Sequence, residues 1–85
     1  MENKVLVKLV FPELDKSFDI YLPVNEILWK IKKLVLKSIS DLCDIKLISN
    51  DYLLINKNTG YIYGNNEIVL QSDIRNGTEL ILVSN

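Results

Sequence analysis

An α+β fold, a mixed sheet of four to five strands packed on one long helix, is predicted by three observations. Two alternating apolar segments near the start frame a polar turn, Pro12-Glu13-Leu14-Asp15-Lys16. A run of apolar residues at three- and four-residue spacing follows, from Ile27 to Leu42. A second polar turn, Asn76-Gly77, then feeds a last apolar segment that continues through Val83. The chain has 85 residues, a length that suits one domain, taken as 1–85, on a single core without staples.

Composition narrows the function classes. Hydrophobic residues are 48% of the chain and charged residues 25%, values of a globule and not of a disordered segment. Ten Lys and Arg against eleven Asp and Glu give a net charge of -1, so no global field attracts a polyanion and nucleic acid is not the expected ligand. Cys43 is the only cysteine, which forbids an internal disulfide and fits a reducing, cytoplasmic setting. The opening run Val5 to Phe11 is broken by Lys8 and lacks a small-residue cleavage site, so it reads as a strand and not as a signal peptide. No run of about 18 apolar residues is present, so no segment is expected to span or insert into a bilayer.

Each element has its own warrant. In Lys4 to Phe11 the odd positions Val5, Val7, Leu9 and Phe11 are apolar while Lys4 and Lys8 fall on the other face, the mark of a half-buried strand. Ser17 to Leu22 alternates likewise, with Phe18, Ile20 and Leu22 against Asp19 and Tyr21, so the two form a hairpin. Asn25 is the expected helix N-cap, Glu26 the first helical residue and i,i+4 partner of Lys30, and Val24 with Trp29 a hydrophobic staple. Ile27, Leu28, Ile31, Leu34, Val35, Ile39 and Leu42 define the face turned to the sheet; Lys30, Lys33 and Lys37 line the opposite one. The helix can run to about Asp44, and Ile45 to Ile48 reads equally as a loop or a short strand, so Ser40 to Asp51 stays unassigned.

Asn50-Asp51 marks a break and Tyr52 to Ile55 a third strand. Asn58-Thr59-Gly60 supplies a turn that tolerates positive φ, and Tyr61 to Tyr63 follows as a short strand. Gly64-Asn65-Asn66 is a loop and Ile68-Val69-Leu70 a short crossing segment before the closing strand.

This order, β-β-α-β-β-β, is that of the ubiquitin-like β-grasp. Over most of its length the chain resembles the YukD/EsaB family, the ubiquitin-like proteins of Gram-positive type VII (WXG100) secretion systems. The resemblance lies in the order and spacing of Lys4 to Phe11, Phe18 to Val24, the turn Asn56 to Gly60, and Asp73 to Leu80. Ser40 to Asp51 departs most from the family's pattern. The resemblance implies a small cytoplasmic accessory or regulatory protein, at most peripheral to the membrane through a partner. Such a protein works by protein-protein contacts in a membrane secretion complex and not by conjugation. The sequence ends in Ser84-Asn85, without the Gly-Gly that carrier proteins of this fold present for adenylation. A carrier in sulfur transfer or conjugation is therefore the second reading, and a toxin-antitoxin or phage-type interaction domain the third.

Enzymatic chemistry finds little support. There is no His, so Ser-His and Cys-His pairs are excluded and the commonest zinc ligand is missing. Cys43, at the end of an apolar helical pattern, reads as a small packed hydrophobe. Asp41, Asp44 and Asp51 lack the spacing and glycine of a calcium loop, and Gly60, Gly64 and Gly77 are turn glycines, not a phosphate cradle. The chain is expected to be non-enzymatic, with no catalytic residue, cofactor or metal. Lys30, Lys33 and Lys37 form a secondary basic face that either meets an acidic partner or is simply solvated.

The positive signal is the other face of the sheet. With Val5, Val7, Leu9, Phe18, Ile20, Leu53, Ile55, Leu80 and Leu82 turned inward, alternation places Leu6, Val10, Tyr21, Leu54, Ile81 and Val83 outward. One helix covers only one side of a sheet, so an outer face this apolar is the candidate interface for a partner protein or for a homodimer.

Overall fold

The computed structural model describes residues 3–47 and 51–85. The elements are β1 (Lys4–Phe11), β2 (Lys16–Pro23), α1 (Leu28–Cys43), β3 (Tyr52–Asn56) and β4 (Glu79–Ser84), with single turns of 3-10 helix at Pro12–Leu14 and Val69–Gln71. They form a four-stranded mixed sheet of order β2-β1-β4-β3, in which β1 and β4 run parallel at the centre and both outer pairs are antiparallel. This is the expected β-grasp.

The first hairpin closes through Asp15, whose left-handed backbone (φ 53) lets its N–H reach the Pro12 carbonyl at 2.9 Å. Aspartate is among the few non-glycine residues that enter this region readily. At the other turn Asn76 performs a strand's task. Its Oδ1 accepts from Leu6 N–H at 2.8 Å while Gly77 N–H donates to Leu6 carbonyl at 2.8 Å, so the β1–β4 ladder continues past the end of β4.

Leu28, Ile31, Val35 and Ile39 of α1 pack with Val7, Leu9, Phe11, Leu22, Leu54, Leu80 and Leu82 from the sheet. Only about 10 Å³ of void separates the helix from the sheet beneath it, too little for a well-partnered water. Leu34 and Leu42 depart from the expected inward face and are 56% and 74% exposed. A face this wide on a helix wheel exceeds what one narrow sheet can cover, and the two leucines fall at its margin and in its last turn.

The helix also starts later than the local signals indicate. Ile27, not Asn25, is the N-cap, and it offers no side-chain bond, so Val24 and Trp29 fall out of staple register. The first free amides are satisfied from a distant loop instead: Leu28 N–H donates to Glu67 carbonyl at 2.9 Å and Trp29 N–H to Asn65 carbonyl at 3.1 Å. Leu70 N–H returns to Val24 carbonyl at 2.8 Å and Ile27 bridges Ile68, so residues 24–28 are drawn into strand-like pairing before the helix can begin. Glu26 still stands 3.9 Å from Lys30. The helix ends at Cys43, with Asp44 left-handed (φ 52) as its C-cap.

Residues 45–47 are neither helix nor strand, and Ile48 and the Asn50 half of the expected break lie outside the described residues. The expected strand Tyr61 to Tyr63 is reduced to one bridge, Ile62 to Ile55, and the crossing segment at 68–70 is largely 3-10 helix.

Candidate protein-interaction face

Register assembles the outer face row by row, because partners across a ladder project to the same side. Tyr21 stands opposite Leu6. The next row is charged throughout: Asp19, Lys8 and Glu79. Beyond it Ser17, Val10, Ile81, Ile55 and Ile62 cross the sheet, and the pair Leu53 and Val83 lies beside Ile55 and Ile81.

Of the expected outer residues, Leu6 and Tyr21 are exposed at 37% and 62%, and Val10, Ile81 and Val83 are half-buried. The charged row divides them, leaving Leu6 and Tyr21 apart from the larger cluster. Leu54 does not belong to this face: it is 3% exposed and part of the core. Leu53 and Ile55, expected inside, take its place outside. The reason is that Tyr52-Leu53-Leu54-Ile55 carries no alternation, so the parity of β3 is set from its ends. Tyr52 turns in to stack on Phe11 at 6.0 Å between ring centres, with its hydroxyl donating to Glu13 Oε1 at 3.1 Å. Asn56, a residue whose polarity argues for the solvent side, is buried.

Asn56 is buried because every polar group on its side chain has work inside. Its Oδ1 accepts from Asn58 N–H at 2.9 Å and Thr59 N–H at 3.2 Å, which shapes the turn, and its Nδ2 donates to Tyr63 Oη at 3.1 Å. Tyr63 hydroxyl in turn donates to Asp73 Oδ1 at 2.5 Å. Burial first, and then this hydrogen bond, push the Tyr63 phenol up to about 12. The same network holds residues 61–63 against β3, with Asn56 N–H donating to Tyr61 carbonyl and Tyr63 N–H to Leu54 carbonyl. That docking delivers Ile62, 52% exposed, to the end of the apolar row. Ile62 could have been found from the sequence by continuing the alternation Tyr61-Ile62-Tyr63 onto the outer face.

The basic face is less free than its spacing suggests. Lys30 and Lys33 hold their Nζ atoms 5.6 and 5.8 Å from the centre of the Trp29 ring, and Lys30 also faces Glu26. Lys37 is exposed one turn further on. Lys32, unremarked in the sequence, donates from Nζ to Tyr52 carbonyl at 2.9 Å, and its burial lowers the ammonium pKa while the nearby Asp51 charge opposes this. Cys43 is half-buried against the core. Among the described residues no group of three or more His, Cys, Asp and Glu comes together as a metal site, and no helix is long and apolar enough to cross a membrane.

Neither a protein-family model nor a curated protein matches the sequence. Solved structures do match in shape. One chain of the MycP5-free ESX-5 inner membrane complex aligns with 99% of this protein at a TM-score of 0.80 and 13% identity, and this protein spans 22% of that chain. The EccD5 ubiquitin-like domain from Mycobacterium xenopi aligns over 99% of both chains at a TM-score of 0.71 and 11% identity. A ubiquitin-like domain of an Arabidopsis thaliana protein covers 98% of this chain and 79% of its own at a TM-score of 0.73 and 15% identity. At these identities the likeness establishes the fold, and the fold is that of a ubiquitin-like β-grasp domain.

Proposed function

We propose that this protein is a non-enzymatic accessory domain of a type VII secretion machine, acting through non-covalent contacts made by the outer face of its sheet. The observation that carries the reading is the apolar row Val10, Ile81, Ile55 and Ile62, with Leu53 and Val83 beside it. The helix covers the other side, so this cluster needs a partner to leave water. The choice of machine is supported by the resemblance to the YukD/EsaB family and by the fold shared with the ESX-5 chain and the EccD5 domain. In this reading the domain is cytoplasmic and reaches the membrane through a protein partner. Leu6 and Tyr21, beyond the charged row, form a satellite contact, and Lys30, Lys33 and Lys37 stay solvated. A standard interface takes about 800 Å² from each partner, within reach of a four-stranded face.

Affinity capture of the tagged chain after mild crosslinking, with the intact mass of the captured chain recorded, tests this. Membrane secretion components recovered with an unmodified chain are expected, and Ile81→Glu with Ile55→Glu should abolish that recovery while the far-UV circular dichroism is kept. A covalent adduct on the captured chain, or recovery indifferent to both substitutions, overturns the reading.

A further inference from the structure

The two edges of the sheet are finished differently. On the β3 side, residues 61–63 lie along the strand and take up its outward backbone groups at Leu54 and Asn56. On the β2 side, the eight residues Lys16–Pro23 have β1 on one flank and, among the described residues, no strand on the other. The outward groups can be identified. Val24 N–H donates to Asn3 carbonyl, in step with the β1–β2 register, and hydrogen-bonded pairs alternate along an antiparallel ladder. Phe18, Ile20 and Leu22 therefore turn their backbone groups to β1, and those of Ser17, Asp19 and Tyr21 point away from the sheet. Four of the five residues from Phe18 to Leu22 are apolar or aromatic, and an open edge with such a stretch is a template for another strand.

We propose that β2 pairs antiparallel with β2 of a second copy of this chain, about a twofold axis at Ile20. The alternating pattern of β2 selects the occupant, and charge together with pattern selects the register. An axis at Asp19 sets that carboxylate directly against its own copy, and an axis at Phe18 sets Lys16 against Ile20 on the apolar face. With the axis at Ile20, Ile20 meets itself, Phe18 meets Leu22 of the partner copy, and Asp19 meets the Tyr21 of the partner copy on the outer side. The outward groups of Asp19 and Tyr21 then satisfy each other reciprocally, and Pro23, which has no N–H, falls at the end of the new ladder. Beside the edge a groove of about 140 Å³ runs between β2 and α1, lined by Ile20, Tyr21 and Pro23 on the strand and by Ile31, Leu34 and Val35 on the helix. Leu34, 56% exposed, stands at the groove's rim on the helix side, and an incoming strand with apolar residues at alternate positions covers it. The β2 strand itself has that pattern. The pairing joins two sheets into one and leaves the Val10–Ile62 row open, so it stands independently of the partner proposed for that row.

Sedimentation of the full chain from micromolar to millimolar concentration should show a monomer–dimer equilibrium, and a monomer throughout overturns the proposal. In a Cys43→Ser background, Ile20→Cys should give a covalent dimer on mild oxidation because a non-hydrogen-bonded pair brings the two Cα atoms to roughly 4.5 Å, within disulfide range. Asp19→Cys in the same background should not crosslink. Crosslinking of the Asp19→Cys chain and not of the Ile20→Cys chain, or of neither, overturns the register. Asp19→Pro removes an outward N–H that β1 does not use and should weaken dimerisation at least tenfold while the thermal transition is retained. Dimerisation unchanged by this proline overturns the edge contact.

Discussion

The two sides of the sheet solve the same problem by opposite means. The β3 side is closed internally, by a polar network in which Asn56 and Tyr63 lie buried and Asp73 joins from the segment before β4. The β2 side has no such cover among the described residues and relies on strand length and apolar alternation, with Phe18 and Ile20 only half-buried. The difference teaches that a strand's exposure is not a property of its own residues. Tyr52 to Asn56 is flanked by a turn whose side chains fold back on it, whereas Lys16 to Pro23 has β1 as its one ladder partner among the described residues.

This contrast can be broken most severely at Asn56. Replacing Asn56 by Ala removes two acceptor contacts to the turn and the donor to Tyr63, and should cost about 2–3 kcal/mol in urea unfolding, since buried groups left without partners cost roughly 1–3 kcal/mol each and the turn amides can still reach water. Equal stability would mean that the β3 side is not closed by this network.

Tyr63→Phe is the next largest, expected to cost about 1–2 kcal/mol near neutrality, and its pH dependence sharpens the case. The Tyr63 phenol is pushed up from 10.0 to about 12, so the fold favours its neutral form. The resulting stabilisation is fully present below pH 10 and is lost as pH rises through about 12. Unfolding free energies across that window should fall more steeply for the natural chain than for Tyr63→Phe, and parallel curves would exclude a titrating Tyr63.

Gly60→Ala should cost about 1 kcal/mol. Gly60 holds φ +79 with nothing within 4 Å of an added Cβ, so the penalty is backbone conformation alone and should appear without any change in the cooperativity of unfolding. Smallest of all, Ser17→Thr on the open edge should change stability by less than about 0.5 kcal/mol. Amide exchange on dilute protein should then alternate along β2, fast at Ser17, Asp19 and Tyr21 and slow at Phe18, Ile20 and Leu22. Uniform protection in dilute solution would show the edge to be covered by this chain itself.

How much of the candidate face was legible depends on how clearly each strand alternates. Leu6, Val10 and Tyr21 could be assigned because charges mark the outer parity of β1 and β2: Lys4 and Lys8 share a face with Leu6, and Asp19 with Tyr21. In β3 four apolar residues follow one another, and the polar Asn56 points to the wrong answer, so Leu54 was expected outside and Leu53 with Ile55 inside. The helix shows the same limit. Its existence and its buried residues Leu28, Ile31, Val35 and Ile39 follow from spacing, but its first turn is capped by Glu67 and Asn65 carbonyls from across the fold, which no local motif announces.

The sequence by itself determined the order of the four main strands and the helix, the β-grasp, the positions of the Asp15, Gly60 and Gly77 turns and the inward face of β1, because periodicity and backbone preference act between near neighbours. Only the tertiary structure decided the parity of β3, the late start of α1, the burial of Asn56, and the charged row that parts Leu6 and Tyr21 from the Val10–Ile62 cluster. Each of these is set by a partner distant in the chain, and free energy there depends on which atoms meet and not on which residues are adjacent.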